Sequence, residues 1–491
     1  LILKGFLMKT PLLSGRIDLR KKTNHHKERG VFMTILPENL KNERTLLPMF
    51  SSFMKEFKVN QLFRKCHMNK KKGFPVKDVF QMIFLLVFTQ KNVAGLLQSR
   101  HPLFQGKKDT LYRFLHKTSG SWRKLLFLLS TKVVSEALLP FTSLKRYTWV
   151  VDDSPYERPR SLKVEGLSRF YDHAQGRFSR GFRMLTLGLT DGATFIPFAF
   201  SLLSSHQKEN QLCPMDASVD GRNKRARLRK ESQEKAPDVF FNLLDGALKH
   251  CPLVSTILFD SWFSFPALIR KCALRGLSVV CMLKNTPKIY YSFGGKVLSL
   301  SSLFTRIQKR PHGNIIGSGV VNLNLTGKPL LARIVFVRSE KQKSQWLALL
   351  STDLSLSEDE IVTLYGKRWD IEVFFKMVKS VLKLTREFQV RSYDALVSHT
   401  SIVFIRYIML AVIARRNTDP RTFGELFYAC YDEIQDITLM EALTLLLELL
   451  KTTIKQILVL SEEKVKELLI YFVNSLPAWL REKVLLLNCE S

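Results

Sequence analysis

The segment RYTWVVDDS, residues 146–154, is a short run of β-branched and aromatic residues that ends on two acids. A run of this composition favours a β-strand. Two further apolar runs, RMLTLGLTDG and TFIPFAFSLLS, follow it, and Asp191 and Gly192 between them form a typical hairpin turn. We therefore predict three antiparallel strands that begin at this segment.

Residues 237–284 alternate between helical and strand patterns. PDVFFNLLDGALKH and SFPALIRKCALRG have helical periodicity, whereas VSTILFD and LSVVCMLK are short apolar runs. Together with the three antiparallel strands they give the order β-β-β-α-β-α-β, which predicts a mixed sheet in an α/β domain. We interpret the polar, strongly basic stretch before them, residues 207–235, as a surface loop or a mobile linker.

The charge of the chain is strongly unbalanced. Lys and Arg number 76 against 43 Asp and Glu, which gives a formal net charge of +33, more than solubility requires. Nucleic-acid phosphates are the usual partner of such an excess, and an anionic membrane surface is the weaker alternative. Lysines at positions 70–72, 107 and 108 are interpreted either as a DNA-facing surface or as ordinary solvated loops.

Several other classes of protein find no support. The apolar runs at 79–88 and 401–414 are short or interrupted, the second by Arg406, so they predict buried helices rather than membrane spans. Seven scattered cysteines without a C-x-x-C pair argue against a disulfide framework or a zinc site and fit a reducing cytoplasm. Nucleotide hydrolysis, serine hydrolysis and dinucleotide redox chemistry lack their glycine-rich or nucleophile motifs.

Helical regions flank the α/β segment, since residues 37–140 and the chain from residue 384 onward are rich in amphipathic helical periods. Strand patterns between residues 285 and 356 indicate an inserted β-subdomain. We divide the chain into a poorly ordered basic extension (1–32), a helical DNA-binding region (33–145), the first part of the core (146–284), the β-strand insertion (285–356), the last core helix (357–395) and a C-terminal helical region (396–491).

Acids follow two strands that the predicted order places side by side. Asp152 and Asp153 end the first strand, and Asp260 ends the strand VSTILFD. Acids at the ends of neighbouring strands converge, although a single acid after a strand is more often a turn former or a helix cap. Trp262 lies near these acids in sequence, as Trp369 lies near Glu372, and we expect both to pack in the core rather than to stack on a nucleobase.

The segment YGKRWDIEVFFKMVK, residues 365–379, carries four polar residues at helical spacing: Tyr365, Arg368, Glu372 and Lys379. At about 100° per residue they fall in one narrow stripe of a helix. Ile371, Phe374 and Val378 occupy the opposite side, so we expect the helix to bury that side and to present the stripe. The alternative is a solvated polar stripe, because such residues also form ordinary surface pairs.

These motifs together resemble the DDE transposases of bacterial insertion sequences, in the group named for its Tyr-Arg-Glu-Lys (YREK) signature. The resemblance covers about residues 147–391 and includes the aspartate after WVV, the ILFDSWF segment and the Tyr-x2-Arg-x3-Glu-x6-Lys pattern. It implies an α/β fold in which an RNase H-like catalytic core carries an inserted β-subdomain between N- and C-terminal helical regions. The long gap between Asp260 and Glu372 leaves room for that insertion.

Carried over residue by residue, the resemblance implies that Asp152, Asp260 and Glu372 form the catalytic, metal-binding triad. Asp153 stays an alternative to Asp152, although Ser154 favours Asp152, because the family places its acid two positions before a Thr or Ser. Tyr365, Arg368 and Lys379 would contact DNA ends and support the glutamate. Carboxylates suit Mg²⁺, with Mn²⁺ as a substitute, and a pair of such ions can promote phosphodiester cleavage and strand transfer. Without cations, three clustered carboxylates should be poorly arranged or shifted in protonation.

The partners implied are double-stranded DNA, as terminal inverted repeats and as target, and a second copy of the chain in a homodimer. No membrane is involved, and the expected location is the bacterial cytoplasm in association with the nucleoid. Two alternatives stay open: a metal-dependent nuclease with the same core that does not join strands, and a DNA-binding derivative of a transposase that has lost activity.

Overall fold

The computed structural model describes residues 46–68, 72–89, 93–98, 106–117, 121–138, 147–172, 176–251, 254–323, 327–338, 346–416 and 462–476, together with the single residues 450, 454 and 481. The predicted extension at 1–32, Lys70, Lys71 and much of the predicted C-terminal region lie outside these ranges.

One mixed sheet organises the α/β part of the chain. Its strands are β1 (Thr148–Glu157), β2 (Ser168–Asp172), β3 (Arg177–Thr190), β4 (Phe195–Leu203), β5 (Thr256–Phe259), β6 (Ser278–Met282), β7 (Tyr290–Phe293), β8 (Lys296–Ser299), β9 (Ile315–Asn322), β10 (Leu331–Arg338) and β11 (Trp346–Ser351). The predicted antiparallel strands are present as β1, β3 and β4. The short strand β2, which pairs with the first half of β3, was not predicted.

The strand order of the first half of the sheet is β4-β3-β1-β5-β6. β1, β3 and β4 are antiparallel, whereas β5 lies parallel to β1 and β6 lies parallel to β5. An antiparallel meander followed by two parallel strands is the RNase H-like arrangement, so the predicted fold class is confirmed. The chain between β4 and β5 and between β5 and β6 is helical, as parallel pairing requires.

The helices surround this sheet. They are α1 (Leu46–Glu56), α2 (Val59–Lys65), α3 (Val76–Leu86), α4 (Val93–Gln98), α5 (Lys108–Lys117), α6 (Trp122–Val133), α7 (Lys224–Ser232), α8 (Ala236–Leu248), α9 (Pro266–Ala273), α10 (Leu300–Arg306), α11 (Glu358–Gly366), α12 (Trp369–Lys376), α13 (Tyr393–Arg415) and α14 (Glu462–Ser475). The N-terminal helices α3, α5 and α6 pack against α13, and α6 and α13 both contact β4.

The helix α13 is the centre of the helical layer. Within the described ranges it is the one helix long and apolar enough to cross a membrane, but 94% of its most apolar window is buried inside the protein. Arg406 in its middle forms an ion pair of 2.7 Å with Glu387 and donates to the carbonyl of Phe84 at 2.8 Å. The predicted buried helix at 401–414 is therefore confirmed, and its arginine ties α13 to α3.

The strand-rich segment at 285–356 extends the core sheet. β11 pairs antiparallel with β6, and β10, β9, β7 and β8 continue outward from β11. Because β11 pairs with β6, the strands of this segment belong to the same sheet as β1 and β5, which position the acids.

The basic stretch at 207–235 contains a helix where we predicted a loop or mobile linker. Asn223 accepts a hydrogen bond from the Arg225 amide and begins α7. Arg229 in α7 is buried and forms ion pairs of 2.6 Å with Glu165 and 2.8 Å with Asp394. The prediction was wrong because the carboxylates that neutralise this arginine come from distant parts of the chain.

Candidate active site

Asp152 and Asp260 lie side by side because their strands pair in parallel. Trp149 of β1 is in register with Ile257 of β5, and Val150 is in register with the next residue of β5. Continuing this register by two residues places Asp152 beside Asp260, which directly follows β5. The strand order predicted this convergence, and the structure brings the two acids together. The expectation that Asp152 and Asp153 end their strand was wrong, because pairing with β3 continues β1 to Glu157 and leaves both acids in its middle.

Asp152 and Asp153 have different partners, because successive side chains of a strand point to opposite faces. The carboxylate of Asp152 accepts a hydrogen bond of 3.0 Å from Arg368. The carboxylate of Asp153 forms an ion pair of 2.5 Å with Arg183 on β3. The geometry therefore groups Asp152, rather than Asp153, with the YREK segment. The pairing of Asp153 with Arg183 was missed, because cross-strand neighbours depend on a register that the sequence does not display.

The YREK segment spans two helices and a π-helical turn rather than one straight helix. Ser357 begins α11 with a capping box in which Glu360 bonds back to the Ser357 amide. α11 ends at Gly366, α12 begins at Trp369, and a π-helical turn follows at Met377–Val381. The expected single stripe was thus only approximately right, since the first helix ends at Gly366 and the wider turn changes the angle per residue.

Two of the four signature residues face the protein interior, whereas Glu372 and Lys379 are partly exposed. Tyr365 and Arg368 are buried, and the Arg368 guanidinium lies over the Tyr365 ring at 5.7 Å from its centroid. Lys379 donates a hydrogen bond of 2.5 Å to Ser154 on β1. The stripe therefore packs against the strand that carries Asp152, and it leaves Glu372 and Lys379 partly exposed.

Arg368 joins the two ends of the predicted triad. One nitrogen of its guanidinium donates to Asp152, and another donates to Glu372 one helical turn along α12. Burial lowers the pKa of Arg368, but Tyr365 and the two carboxylates outweigh that effect, so its net pKa is raised and it stays charged. A permanently charged, bidentate donor is well suited to holding two carboxylates.

The pKa values of Asp152 and Asp260 are both raised. Burial raises the pKa of Asp152 well above its usual value, and the negative charge of Asp260 raises it further, while Arg368 opposes both effects. Burial also raises the pKa of Asp260, against the same arginine. The expected shift in protonation is present for Asp152 and Asp260, and Arg368 supplies positive charge between Asp152 and Glu372.

Lys379 is a second, partly buried cation beside the acids. Burial lowers the pKa of Lys379 to about 8, although the carboxylates of Glu157 and Asp172 oppose this effect. The lysine therefore changes charge in a range close to neutral pH. Its partner Ser154 is the hydroxyl two positions after Asp152 that the sequence singled out.

Trp262 lies at the edge of this site and is 38% exposed. Its backbone amide donates a hydrogen bond of 2.9 Å to Asp260. Arg183 lies over its ring at 5.0 Å from the centroid, and Lys284 lies at 6.0 Å. The expectation that Trp262 packs in the core was wrong, because it follows Asp260 in the turn before α9, outside the apolar layer.

The carboxylate oxygens of Asp152, Asp260 and Glu372 are the kind of ligand that a hard divalent cation prefers. Within the described ranges, no three Asp, Glu, His or Cys side chains stand close enough together to hold a metal ion as they are arranged. The reason is visible in the contacts of Arg368, whose guanidinium occupies the position between Asp152 and Glu372. Binding of a cation by all three acids would require this arginine to release at least one of them.

Comparison with known families agrees with this geometry. A family model described as "DDE superfamily endonuclease" matches residues 84–295, and one described as "Transposase DDE domain" matches residues 232–409. The first range contains Asp152, the second contains Glu372, and Asp260 lies in the overlap. Divalent-metal dependence is a property of this family.

No curated protein matches the chain. Among solved structures, one similar chain belongs to the "Drosophila P element transposase strand transfer complex", with 10% identity, coverage of 88% of this chain and 96% of that chain, and a TM-score of 0.24. A score this low carries no weight for the fold, which follows from the strand order. The two family matches, which together span residues 84–409 and all three acids, indicate a DDE-type transposase enzyme.

Proposed function

We propose that this transposase belongs to the YREK group of bacterial insertion sequences and that it cleaves DNA at the ends of its element and joins those ends to target DNA. The observation that carries the proposal is the contact of Arg368 with both Asp152 and Glu372, beside Asp260 on the neighbouring strand. It links the YREK segment to the aspartate on β1 and to the neighbouring aspartate after β5, as the proposed signature requires.

In this proposal Asp152, Asp260 and Glu372 hold Mg²⁺, which Mn²⁺ can replace. Bound divalent cations would supply the charge that activates a nucleophile and stabilises the leaving oxygen of a phosphodiester. The chain's own residues orient the reaction. Arg368 holds the two outer carboxylates before the cations bind and releases at least one of them on binding. Lys379, held by Ser154, places a positive charge beside them for a DNA phosphate.

Duplex DNA is the proposed partner, because the formal net charge of +33 favours a polyanion. A homodimer follows from the need to bring two ends of one element together, and the proposed location is the bacterial cytoplasm. Asp153, paired with Arg183, is assigned a structural role in this scheme.

The test uses a labelled duplex that ends in the inverted repeat flanking the gene, a supercoiled plasmid as target, and Mg²⁺. We expect the unchanged protein to nick the duplex and to join its 3′ end to the plasmid, and Glu372→Gln to do neither. Glu463→Gln, a substitution of an exposed glutamate on α14, is the matched control and should behave as the unchanged protein. Cleavage without joined product would favour a nuclease, and binding without cleavage would favour an inactive derivative.

A further inference from the structure

A large basic groove lies beside the candidate active site. It has a volume of about 930 Å³ and is lined by two segments, residues 157–164 and residues 385–391. The first segment continues from β1, which carries Asp152, and the second follows the π-helical turn after α12, which carries Glu372. The groove is therefore built on the same two elements as the candidate site.

Positive charge dominates the lining of this groove. It contains five cations, Arg158, Arg160, Lys163, Arg386 and Arg391, against one carboxylate. That carboxylate, Glu157, already accepts a hydrogen bond of 3.1 Å from the Ser179 hydroxyl. Within the described ranges, none of the five cations forms an ion pair. Clustered cations without acidic partners repel one another, so their arrangement favours a bound polyanion.

Arg158 shows that the groove is more than an exposed charged surface. Only 6% of Arg158 is exposed. Its guanidinium donates hydrogen bonds to the Phe388 carbonyl at 3.1 Å and to the Tyr156 hydroxyl at 3.3 Å. Its Nε is buried without a hydrogen-bond partner. A buried charged group normally satisfies all its donors. The two bonds of Arg158 hold its charge in the floor of the groove, and its unpaired Nε leaves that charge incompletely compensated.

The groove continues toward the N-terminal helices. A second cavity of about 400 Å³ shares residues 389–391 with it and is lined on its other side by Tyr112, Arg113 and His116 of α5. The imidazole of His116 contacts the Ser392 hydroxyl at 2.6 Å. A DNA strand that follows both cavities would pass from the candidate site to the helical region that we predicted to bind DNA.

We propose that the basic groove binds the sugar-phosphate backbone of the DNA whose end is cut, and this proposal rests on the proposed function. Arg158 lies six residues beyond Asp152 in the chain, which is about 20 Å along an extended strand. At about 3.4 Å of duplex axis per nucleotide of one strand, the contacted phosphates lie about six base pairs from the scissile one. Arg160, Lys163, Arg386 and Arg391 contact phosphates, and Arg158 stiffens the floor of the groove.

The test is the salt dependence of binding to a duplex of about 24 base pairs, measured by fluorescence anisotropy between about 50 and 200 mM salt without divalent cations. Each phosphate contact contributes about 0.9 to the slope of log affinity against log salt. The double variant Arg386→Gln/Arg391→Gln should reduce the slope by about 1.8 and weaken binding on the order of fiftyfold at about 100 mM salt. Both side chains are exposed, so folding should not change.

The matched control is Lys296→Gln/Arg306→Gln, which removes two exposed cations near β8 at the far edge of the sheet. It should leave the slope within about 0.5 of that of the unchanged protein. An unchanged slope for Arg386→Gln/Arg391→Gln, or an equal reduction of the slope in the control variant, would overturn the proposal that the groove binds DNA. Either result would leave the proposed function intact. Absence of DNA binding by the unchanged protein would overturn both.

Discussion

The guanidinium of Arg368 donates a hydrogen bond of 3.0 Å to the carboxylate of Asp152, although the two residues lie on a helix and a strand that are distant in sequence. The same guanidinium contacts Glu372. One buried cation thus holds the first and third acids of the candidate triad. Asp260, the second acid, lies beside Asp152 through the parallel pairing of β1 with β5.

Arg368→Gln removes this cation and leaves the carboxylates uncompensated. Breaking one side of a buried ion pair costs about 3–5 kcal/mol, so we expect a loss of that size in the free energy of unfolding without divalent cations. Mg²⁺ at millimolar concentration should restore part of the loss, because it can take the place of the guanidinium between the acids. Urea unfolding with and without Mg²⁺ measures both effects. Arg306→Gln, an exposed arginine far from the site, should change neither value, and a loss that Mg²⁺ does not reduce would contradict this account.

Lys379 should make DNA binding depend on pH. Burial lowers its pKa to about 8, so its positive charge is present below that value and is lost as the pH rises through it. We expect affinity for duplex DNA to fall several-fold between about pH 7.5 and pH 9.5. Lys379→Arg keeps its charge throughout this range and should remove most of the fall. Parallel pH profiles for the two proteins would show that Lys379 does not contact the phosphate backbone.

The sign of the effect of Lys379 on stability follows from the same pKa. Its value in the folded protein, about 8, lies below the ordinary value of about 10.4, so burial of the charged form costs stability at neutral pH. That cost is fully present below about pH 8 and is relieved between about pH 8 and pH 10. Lys379→Met should therefore raise the melting temperature at pH 7 and have a smaller effect at pH 10.

Trp262 should contribute to DNA binding more than to folding. A core tryptophan replaced by alanine costs about 3–5 kcal/mol of stability, but Trp262 is 38% exposed and lies between two cations. We expect Trp262→Ala to cost about 1 kcal/mol of stability and to weaken binding of a duplex with unpaired terminal bases by about 1–3 kcal/mol, the range for base stacking. Trp262→Phe should retain most of that binding. Equal binding of frayed and blunt duplexes by Trp262→Ala and by the unchanged protein would rule out a stacking role.

The sequence predicted the parts of the site that depend on local pattern and strand order. The strand before Asp152, the strand before Asp260 and the helical spacing of Arg368 and Glu372 are each visible in a short window, and their convergence follows from parallel pairing of β1 with β5. These features needed no knowledge of long-range contacts.

Features that depend on long-range contacts were not predictable in this way. Arg183 on β3 forms an ion pair with Asp153 on the neighbouring strand β1. Glu165 and Asp394 form ion pairs with the buried Arg229, which lies in a stretch whose composition is typical of a loop. The YREK segment also packs onto β1 through the contact of Lys379 with Ser154, which its helical spacing does not reveal. In each case the deciding partner lies in a different part of the chain.

The most direct test of the central claim is a substitution of Asp260. This acid forms no hydrogen bond with Arg368 or with any other residue of the YREK segment. Asp260→Asn keeps the shape of the side chain and its acceptor for the Trp262 amide but removes the charge. With a duplex that ends in the flanking inverted repeat and with Mg²⁺, we expect strand cleavage to be abolished while end binding stays within a few-fold of that of the unchanged protein. Asp216→Asn, in an exposed loop, is the matched control and should cleave normally. Cleavage by Asp260→Asn at the rate of the unchanged protein would contradict the account.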